Sequence, residues 1–213
     1  MYCIISLPRT ASTYTWHLIN QSLMFLNPSY SKIGSFSAFN PRYTSEEQVE
    51  NRYQEIMNSS PLPLIKIISN HSFDMVERIL QSNYKTVFIY PKDLRKQVLK
   101  VLVAKKTDSF INKDLRKDYI GSLVITKEEI KERLGFYNKH MEFQNRCDYA
   151  FSDKSILDNP TGLLETLGLD YMGTKYKYKK YEISDEEMLQ DINHFNELYE
   201  ECVNDSTTKE TYS

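Results

Sequence analysis

The chain has 213 residues, of which 40% are hydrophobic and 26% are charged, and its formal net charge at pH 7 is −2. We predict a single domain over residues 1–213, because this length and apolar content suffice to bury one core. The small net charge argues against a general nucleic-acid-binding protein, which usually carries a basic face. The three cysteines have no CxxC spacing, so we expect no zinc site, and their odd number favours a reducing compartment, which we predict to be the cytoplasm. No stretch has the roughly 18 apolar residues that a membrane span requires.

Four compact apolar runs predict buried β-strands: Tyr2–Leu7, Leu64–Ser69, Thr86–Tyr90 and Asp148–Phe151. Helical periodicity lies between and beyond them, over about 13–25, 45–57, 73–81, 93–105, 127–145 and 161–167. Strands that alternate with helices favour an α/β fold, in which helices cover both faces of a mostly parallel sheet to give a three-layer αβα sandwich. Ligands of such sheets bind beyond the carboxyl ends of the strands.

Two further segments stand outside this alternation. Residues 27–41 are rich in Ser, Asn, Pro and aromatic residues and lack periodicity, so we predict a long surface loop. Residues 182–205 contain nine acidic residues and no Lys or Arg, which predicts an acidic helix or tail from about residue 182.

The segment LPRTASTYT, residues 7–15, follows the first predicted strand and leads into the first predicted helix. Such a turn directs backbone N–H groups to one spot, where the positive end of the helix dipole also attracts phosphate or sulfate. Arg9 supplies a cation, and Thr10, Ser12 and Thr13 supply hydroxyl groups. A Walker A loop is excluded, because GxxxxGK[ST] is absent and no glycine precedes Gly34. On spacing alone an alternative stays open, in which Ser12 or Thr13 caps the helix and Arg9 is solvated.

The stretch PRTASTYT resembles the 5′-phosphosulfate-binding loop of sulfotransferases that use 3′-phosphoadenosine 5′-phosphosulfate (PAPS). In that family the loop reads Pro, Lys or Arg, Ser or Thr, Gly, two further Ser or Thr, and often an aromatic residue. Arg9 takes the basic position, Ala11 stands where the family usually has glycine, and Tyr14 takes the aromatic position that stacks on adenine. The resemblance therefore implies these cofactor-binding residues: Pro8, Arg9, Thr10, Ala11, Ser12, Thr13 and Tyr14.

The family carries a second nucleotide motif, an Arg at a strand end followed eight residues later by a Ser, which together bind the 3′-phosphate. In VFIYPKDLRKQVLKVLVAK the resemblance puts Lys92 at the Arg position and Lys100 at the Ser position. Both substitutions keep or add positive charge, and Arg95 and Lys96 are alternative candidates. The competing interpretation is an amphipathic helix with solvated lysines.

Near the C-terminus, CDYAFSDKSILDNPTGLLETLGLDY resembles the family's strand, acidic turn, Asn-Pro helix start and LGL-type helix ending. This similarity concerns architecture rather than chemistry. The resemblance spans residues 2 to about 171, and it implies a P-loop NTPase-like sulfotransferase architecture.

His71 is the candidate catalytic base. It follows the run LIKIIS at the predicted carboxyl edge, whereas His17 and His140 fall in predicted helices and His194 in the acidic segment. On its own, a histidine at a strand end is more often a turn residue than a catalyst. In the family, however, a histidine just beyond the second strand is the base, commonly in a Lys-Thr-His context that here reads Ser-Asn-His. The resemblance thus implies His71 and Arg9 as catalytic residues, and an imidazole with a pKa near 6.5 accepts a proton at pH 7 without special tuning.

The implied reaction is sulfuryl transfer from PAPS to a hydroxyl or amine of a small-molecule, carbohydrate or peptide acceptor, with 3′-phosphoadenosine 5′-phosphate (PAP) as product. No carboxylate pair lies beside the opening turn in the sequence, so we expect no metal. Nucleic acid is not an expected partner, and the oligomeric state is left open. Two alternatives also remain: an atypical small-molecule or nucleotide kinase, and a non-catalytic adenine-nucleotide-binding descendant of the fold.

Overall fold

The structure is a computed structural model that describes residues 1–27, 36–37, 46–60, 62–69, 73–107, 123–172 and 195–210. It consists of two compact units, one of residues Met1–Lys92 and Lys139–Tyr178 and the other of Asp93–Asn138 and Lys179–Ser213. The prediction of a single domain over residues 1–213 stays a prediction. No helix in the described ranges is long and apolar enough to cross a membrane.

The first unit is built on a parallel five-stranded sheet with the strand order β2-β3-β1-β4-β5. The strands are β1 Tyr2–Ser6, β2 Phe36–Ser37, β3 Ile65–Ile68, β4 Lys85–Tyr90 and β5 Tyr149–Ser152. The four predicted strands and the parallel α/β arrangement are confirmed. Strand β2 corrects the prediction of an unbroken loop over residues 27–41, because two residues are too few to show an alternating pattern.

Eight α-helices are described across the two units. They are α1 Ser12–Leu26, α2 Glu46–Met57, α3 Phe73–Leu80, α4 Leu94–Lys106, α5 Lys127–Met141, α6 Asp153–Asp158, α7 Pro160–Thr166 and α8 Phe195–Glu210. The predicted helices all form. Helix α5 ends at Met141 rather than near residue 145, and a short 3₁₀ turn, Gln144–Arg146, follows it. Helix α6 was not predicted, because six residues hold less than two turns of periodic pattern.

Both faces of the sheet are covered, which produces the three layers of the first unit. Strand β1 is buried on both sides, since successive side chains point to opposite faces. Ile4 belongs to a core that includes Leu18 and Ile19 of α1, together with residues of α7. Ile5 belongs to the opposite core, with residues of α3. Each buried side chain of this size contributes about 1.5–3 kcal/mol to the free energy of unfolding.

The connections after β1 and β3 leave on opposite sides of the sheet. Helix α1 follows β1 and packs in one core, whereas α3 follows β3 and packs in the other. Because β1 and β3 are neighbours, their carboxyl ends form the topological switch point at which open α/β sheets bind ligands. Residues 7–11, the opening loop, lie at this position.

The second unit has its own core, formed by α4, most of α5 and α8. Phe195 and Cys202 of α8 are buried in it with residues of α4 and α5. On its surface, Lys127 and Lys131 contact Asp205 of α8. The predicted acidic segment therefore includes a helix with one buried face, in addition to its charged surface.

Candidate anion-binding site

The backbone of the opening loop is left-handed at two alternate residues. Arg9 has φ 65° and Ala11 has φ 56°, and they are the only non-glycine residues with positive φ in the described part of the chain. Left-handed geometry costs an L-residue about 1–2 kcal/mol. Left-handed and right-handed residues in alternation turn successive N–H groups toward one concavity, and such nests bind anions. The two positive φ values are compatible with such a nest, and anion binding by this turn stays a prediction.

Thr10 holds the loop closed. Its hydroxyl donates to the carbonyl oxygen of Leu7 at 2.7 Å, and Thr10 is fully buried. Thr10 was predicted to donate to the anion, but a hydroxyl has one proton and this one is used within the turn. In this geometry Thr10 shapes the loop and donates nothing to a ligand.

The capping interpretation of the opening loop is wrong. Helix α1 begins at Ser12, and its N-cap is Ala11, which has no polar side chain. Ser12 and Thr13 lie inside the first turn, and no side chain makes a capping hydrogen bond there. The positive end of the α1 dipole is therefore not offset by a side-chain oxygen at the cap position.

Lys66 of β3 brings a cation to the start of α1. Its Nζ donates to Oγ1 of Thr13 over 3.0 Å. Because Thr13 Oγ1 is the acceptor in this hydrogen bond, its own hydroxyl proton remains available for another acceptor. The Thr13 side chain is also exposed. Burial lowers the pKa of Lys66 below its ordinary value. Lys66 is the single charged residue in the apolar run LIKIIS, three residues before Ser69, which stands where the family has the lysine of its Lys-Thr-His context. Whether Lys66 replaces that lysine was left open by the sequence.

His17 lies one helical turn beyond Thr13 and is half-buried. Its pKa is lowered, first by burial and second by the charge of Lys66. Its ring also packs edge-on against Trp16, with the ring centroids 5.1 Å apart. Burial and the Lys66 charge both favour the neutral form of this histidine.

Ser6, the last residue of β1, has a buried hydroxyl with no hydrogen-bond partner among the described residues. Strand alternation puts its side chain on the same face as Ile4, the face that α1 covers. A buried hydroxyl without a partner costs about 1–3 kcal/mol, and such a group calls for a ligand or an ordered water.

Tyr14 is half-buried and packs against the core on the α1 face of the sheet. Burial raises the pKa of Tyr14, with a smaller contribution from Tyr171. The predicted role of Tyr14 in adenine stacking stays a prediction, as do the predicted roles of Pro8, Arg9, Ala11 and Ser12 in binding the cofactor.

The predicted 3′-phosphate residues fall in different units. Lys92 follows the carboxyl end of β4, where its backbone N–H donates to Asp153 over 2.8 Å and its side chain is exposed. It thus lies at the same edge of the sheet as the opening loop. Lys100 is half-buried within α4, in the second unit. Asp93 is the N-cap of α4, and its carboxylate accepts from the N–H of Lys96 at 3.0 Å.

His71, the predicted base, lies outside the described residues. At the end of β3, Ser69 instead contacts His140, whose Nδ1 lies 2.7 Å from the Ser69 hydroxyl oxygen. Nε2 of His140 donates to the carbonyl oxygen of Ile89 at 3.0 Å, so the neutral ring accepts from Ser69 at Nδ1. The ring is fully buried and stacks on Phe88. Its position in a helical pattern gave no signal of this role.

Comparisons with known proteins gave no match: no family model matches the chain, and no curated protein or solved structure matches it significantly. Within the described ranges, no group of three or more His, Cys, Asp or Glu side chains is arranged to hold a metal ion.

Proposed function

We propose that this protein transfers a sulfuryl group from PAPS to a hydroxyl or amine acceptor. The observation that carries the proposal is the backbone of the opening loop, left-handed at Arg9 and Ala11, at the switch point between β1 and β3. In this loop Ala11 adopts a conformation that glycine adopts most readily, and glycine is the residue usual at that position in the family that PRTASTYT resembles.

The loop suits the phosphosulfate end of PAPS for three physical reasons. A nest supplies converging N–H donors, the start of α1 adds the positive end of a dipole, and Arg9 adds a cation. The buried hydroxyl of Ser6 in β1 and the charge of Lys66 in β3 lie on the α1 face of these adjacent strands. An anion here would give Ser6 a hydrogen-bond partner and Lys66 a counter-charge, neither of which the described residues supply.

The proposed reaction is a single in-line displacement. The acceptor oxygen or nitrogen attacks the sulfur of PAPS while the bond from sulfur to the bridging oxygen of the 5′-phosphate breaks. His71 takes the acceptor proton, and the electron pair of the broken bond stays on the 5′-phosphate of PAP. Arg9 and the N–H groups of the opening loop stabilise that growing charge, as in phosphoryl transfer, where positioning and charge stabilisation dominate. The acceptor belongs to a small molecule, a carbohydrate or a peptide.

A calorimetric titration with PAP tests the nucleotide part of this proposal. We expect wild type to bind PAP and Arg9→Ala to bind it at least about tenfold more weakly, because a charge-assisted hydrogen bond is lost. The matched control is Arg146→Ala, which removes an exposed arginine whose partner is Glu77 and is expected to leave the dissociation constant unchanged. Equal affinity of the Arg9→Ala variant and wild type would refute the role of Arg9.

A further inference from the structure

Lys66 is an unusual residue for its position in the sheet. It lies in the middle of β3, where Ile65 and Ile67 on the other face are fully buried. Its aliphatic part crosses the face that α1 covers, and its Nζ reaches Thr13, the second residue of α1. A lysine stem packs well against an apolar face, yet packing alone requires no ammonium group.

The charge of Lys66 has no counter-ion in the described part of the chain. Its hydrogen-bond partner is a neutral hydroxyl, and the described ion pairs do not include it. The position is also electrostatically unfavourable, because the start of a helix carries positive partial charge and repels a cation. Separately, burial lowers the pKa of Lys66, since the charged form is poorly solvated there.

Ser6 supplies a second, independent observation. Its buried hydroxyl has no hydrogen-bond partner among the described residues, and it lies on the α1 face at the carboxyl end of β1. Strand β3 is the direct neighbour of β1, and the register pairs Ile4 with Lys66 and Ser6 with Ile68. A half-buried cation and a buried hydroxyl without a partner thus occur on one face of adjacent strands, under the start of α1.

We propose that Lys66, with Thr13 and Ser6, binds the tetrahedral oxyanion held at the opening loop. Lys66 supplies a positive charge besides that of Arg9, Thr13 donates the proton that Lys66 leaves available, and Ser6 gains the partner it lacks. This inference rests on the proposed function in taking the phosphosulfate of PAPS as the anion. The binding chemistry itself holds for any phosphate or sulfate group.

A pair of lysine variants tests this assignment. Lys66→Met keeps the unbranched stem and removes the charge, and the matched control Lys85→Met removes an exposed lysine at the opposite, amino-terminal end of the sheet. Dissociation constants are measured by calorimetry for inorganic phosphate, inorganic sulfate and PAP. We expect Lys66→Met to weaken binding about tenfold to a hundredfold and Lys85→Met to leave it unchanged. Lys66→Arg is expected to recover part of the loss.

A purely structural role for Lys66 predicts different results. If Lys66 only tethers α1 to β3, Lys66→Met lowers the melting temperature and leaves the dissociation constants unaltered, and that combination overturns the proposal. If Lys66 binds an anion, the dissociation constants of Lys66→Met rise whichever way its melting temperature without ligand changes.

The ligand series separates failure of this inference from failure of the proposed function. If wild type binds phosphate or sulfate but not PAP, and Lys66→Met weakens that binding, the result supports the Lys66 site and overturns the nucleotide assignment. If wild type and the Lys66→Met variant bind PAP equally tightly, the result overturns the Lys66 site and does not affect the proposed function. Absence of binding to all three ligands overturns both.

Discussion

The hydroxyl of Ser69 lies 2.7 Å from Nδ1 of His140, and Nε2 of the same ring donates to the carbonyl oxygen of Ile89. The Ser69 hydroxyl oxygen also lies 3.3 Å from the carbonyl oxygen of Ser6, but its one proton goes to Nδ1. The buried imidazole therefore connects the carboxyl ends of β3 and β4, next to the end of β1. The hydrogen bonds of His140 therefore hold strand ends together at the edge of the sheet where the opening loop lies.

The buried ring makes stability depend on pH in the acidic range. Burial lowers the pKa of His140 to about 4, against about 6.5 in the unfolded chain. Between these values the unfolded chain binds a proton that the folded protein does not, so stability is fully present above about pH 6.5 and is lost as the pH falls toward 4. The loss amounts to about 3 kcal/mol. Urea unfolding at intervals from pH 4 to 7 measures it.

The variant His140→Gln keeps polar atoms at the site without titrating, so we expect its stability to change less over the same pH interval. An NMR titration of wild type assigns the effect to the ring. A His140 resonance that titrates near pH 6.5 would contradict the assignment, whatever the unfolding data.

Substitution of Ala11 by glycine is expected to stabilise the protein. Ala11 has φ 56°, a conformation that costs an L-residue about 1–2 kcal/mol, and glycine avoids this cost while losing more backbone entropy on folding. The expected net gain is about 0.5–1 kcal/mol, measured by chemical denaturation. The control Ala150→Gly, in strand β5 with no positive φ, is expected to lose about 0.5–1 kcal/mol. Effects of the same sign in both variants would contradict the left-handed geometry.

Loss of the Asn159 side chain is expected to destabilise α7. Oδ1 of Asn159 accepts from the N–H of Gly162 at 2.9 Å, and Pro160 is the first helical residue. We expect Asn159→Ala to cost about 1 kcal/mol and Asn159→Asp to cost little, because aspartate caps equally well. Thermal unfolding of both variants measures the difference, and an Asn159→Ala protein as stable as wild type would show that the cap contributes nothing.

Removal of the proposed base is expected to slow turnover strongly without loss of nucleotide binding. His71→Ala is compared with His194→Ala, which removes a histidine from the predicted acidic segment. Incubation with PAPS and a panel of hydroxyl and amine acceptors, followed by detection of PAP, measures turnover. We expect His71→Ala to be slower by about a hundredfold or more, whereas near-normal turnover would exclude His71 as the base.

The strands and helices were predictable because their apolar patterns match the periods of the structures they form. The runs at Tyr2 and Leu64 are apolar enough to be buried on both faces of a parallel sheet, and the Asn-Pro pair at residues 159–160 predicted a helix start that the structure has. The LGL segment likewise ends α7, with Gly168 at φ 70°. Each of these signals lies within one segment of the sequence, and so do the interactions that form the corresponding strand or helix.

The site was predictable only where its residues are contiguous. PRTASTYT indicated an anion-binding turn, yet the contact of Lys66 with Thr13 and that of Ser69 with His140 join residues 53 and 71 positions apart. No pattern within one segment reports such contacts, since they depend on strand order and on the face each side chain takes. The N-cap was assigned to the wrong residue for a local reason, because Ala11 takes this position with a positive φ and alanine gives no sign of a positive φ.

A thermal-shift comparison of PAP with ATP and magnesium tests the central claim most directly. A ligand at a hundred times its dissociation constant adds about 2.7 kcal/mol to the stability of the folded protein, and for a chain of this length that raises the melting temperature by several degrees. We predict this rise with PAP and a smaller one, or none, with ATP and magnesium. A rise with ATP and magnesium but none with PAP would contradict the sulfotransferase assignment and favour a kinase.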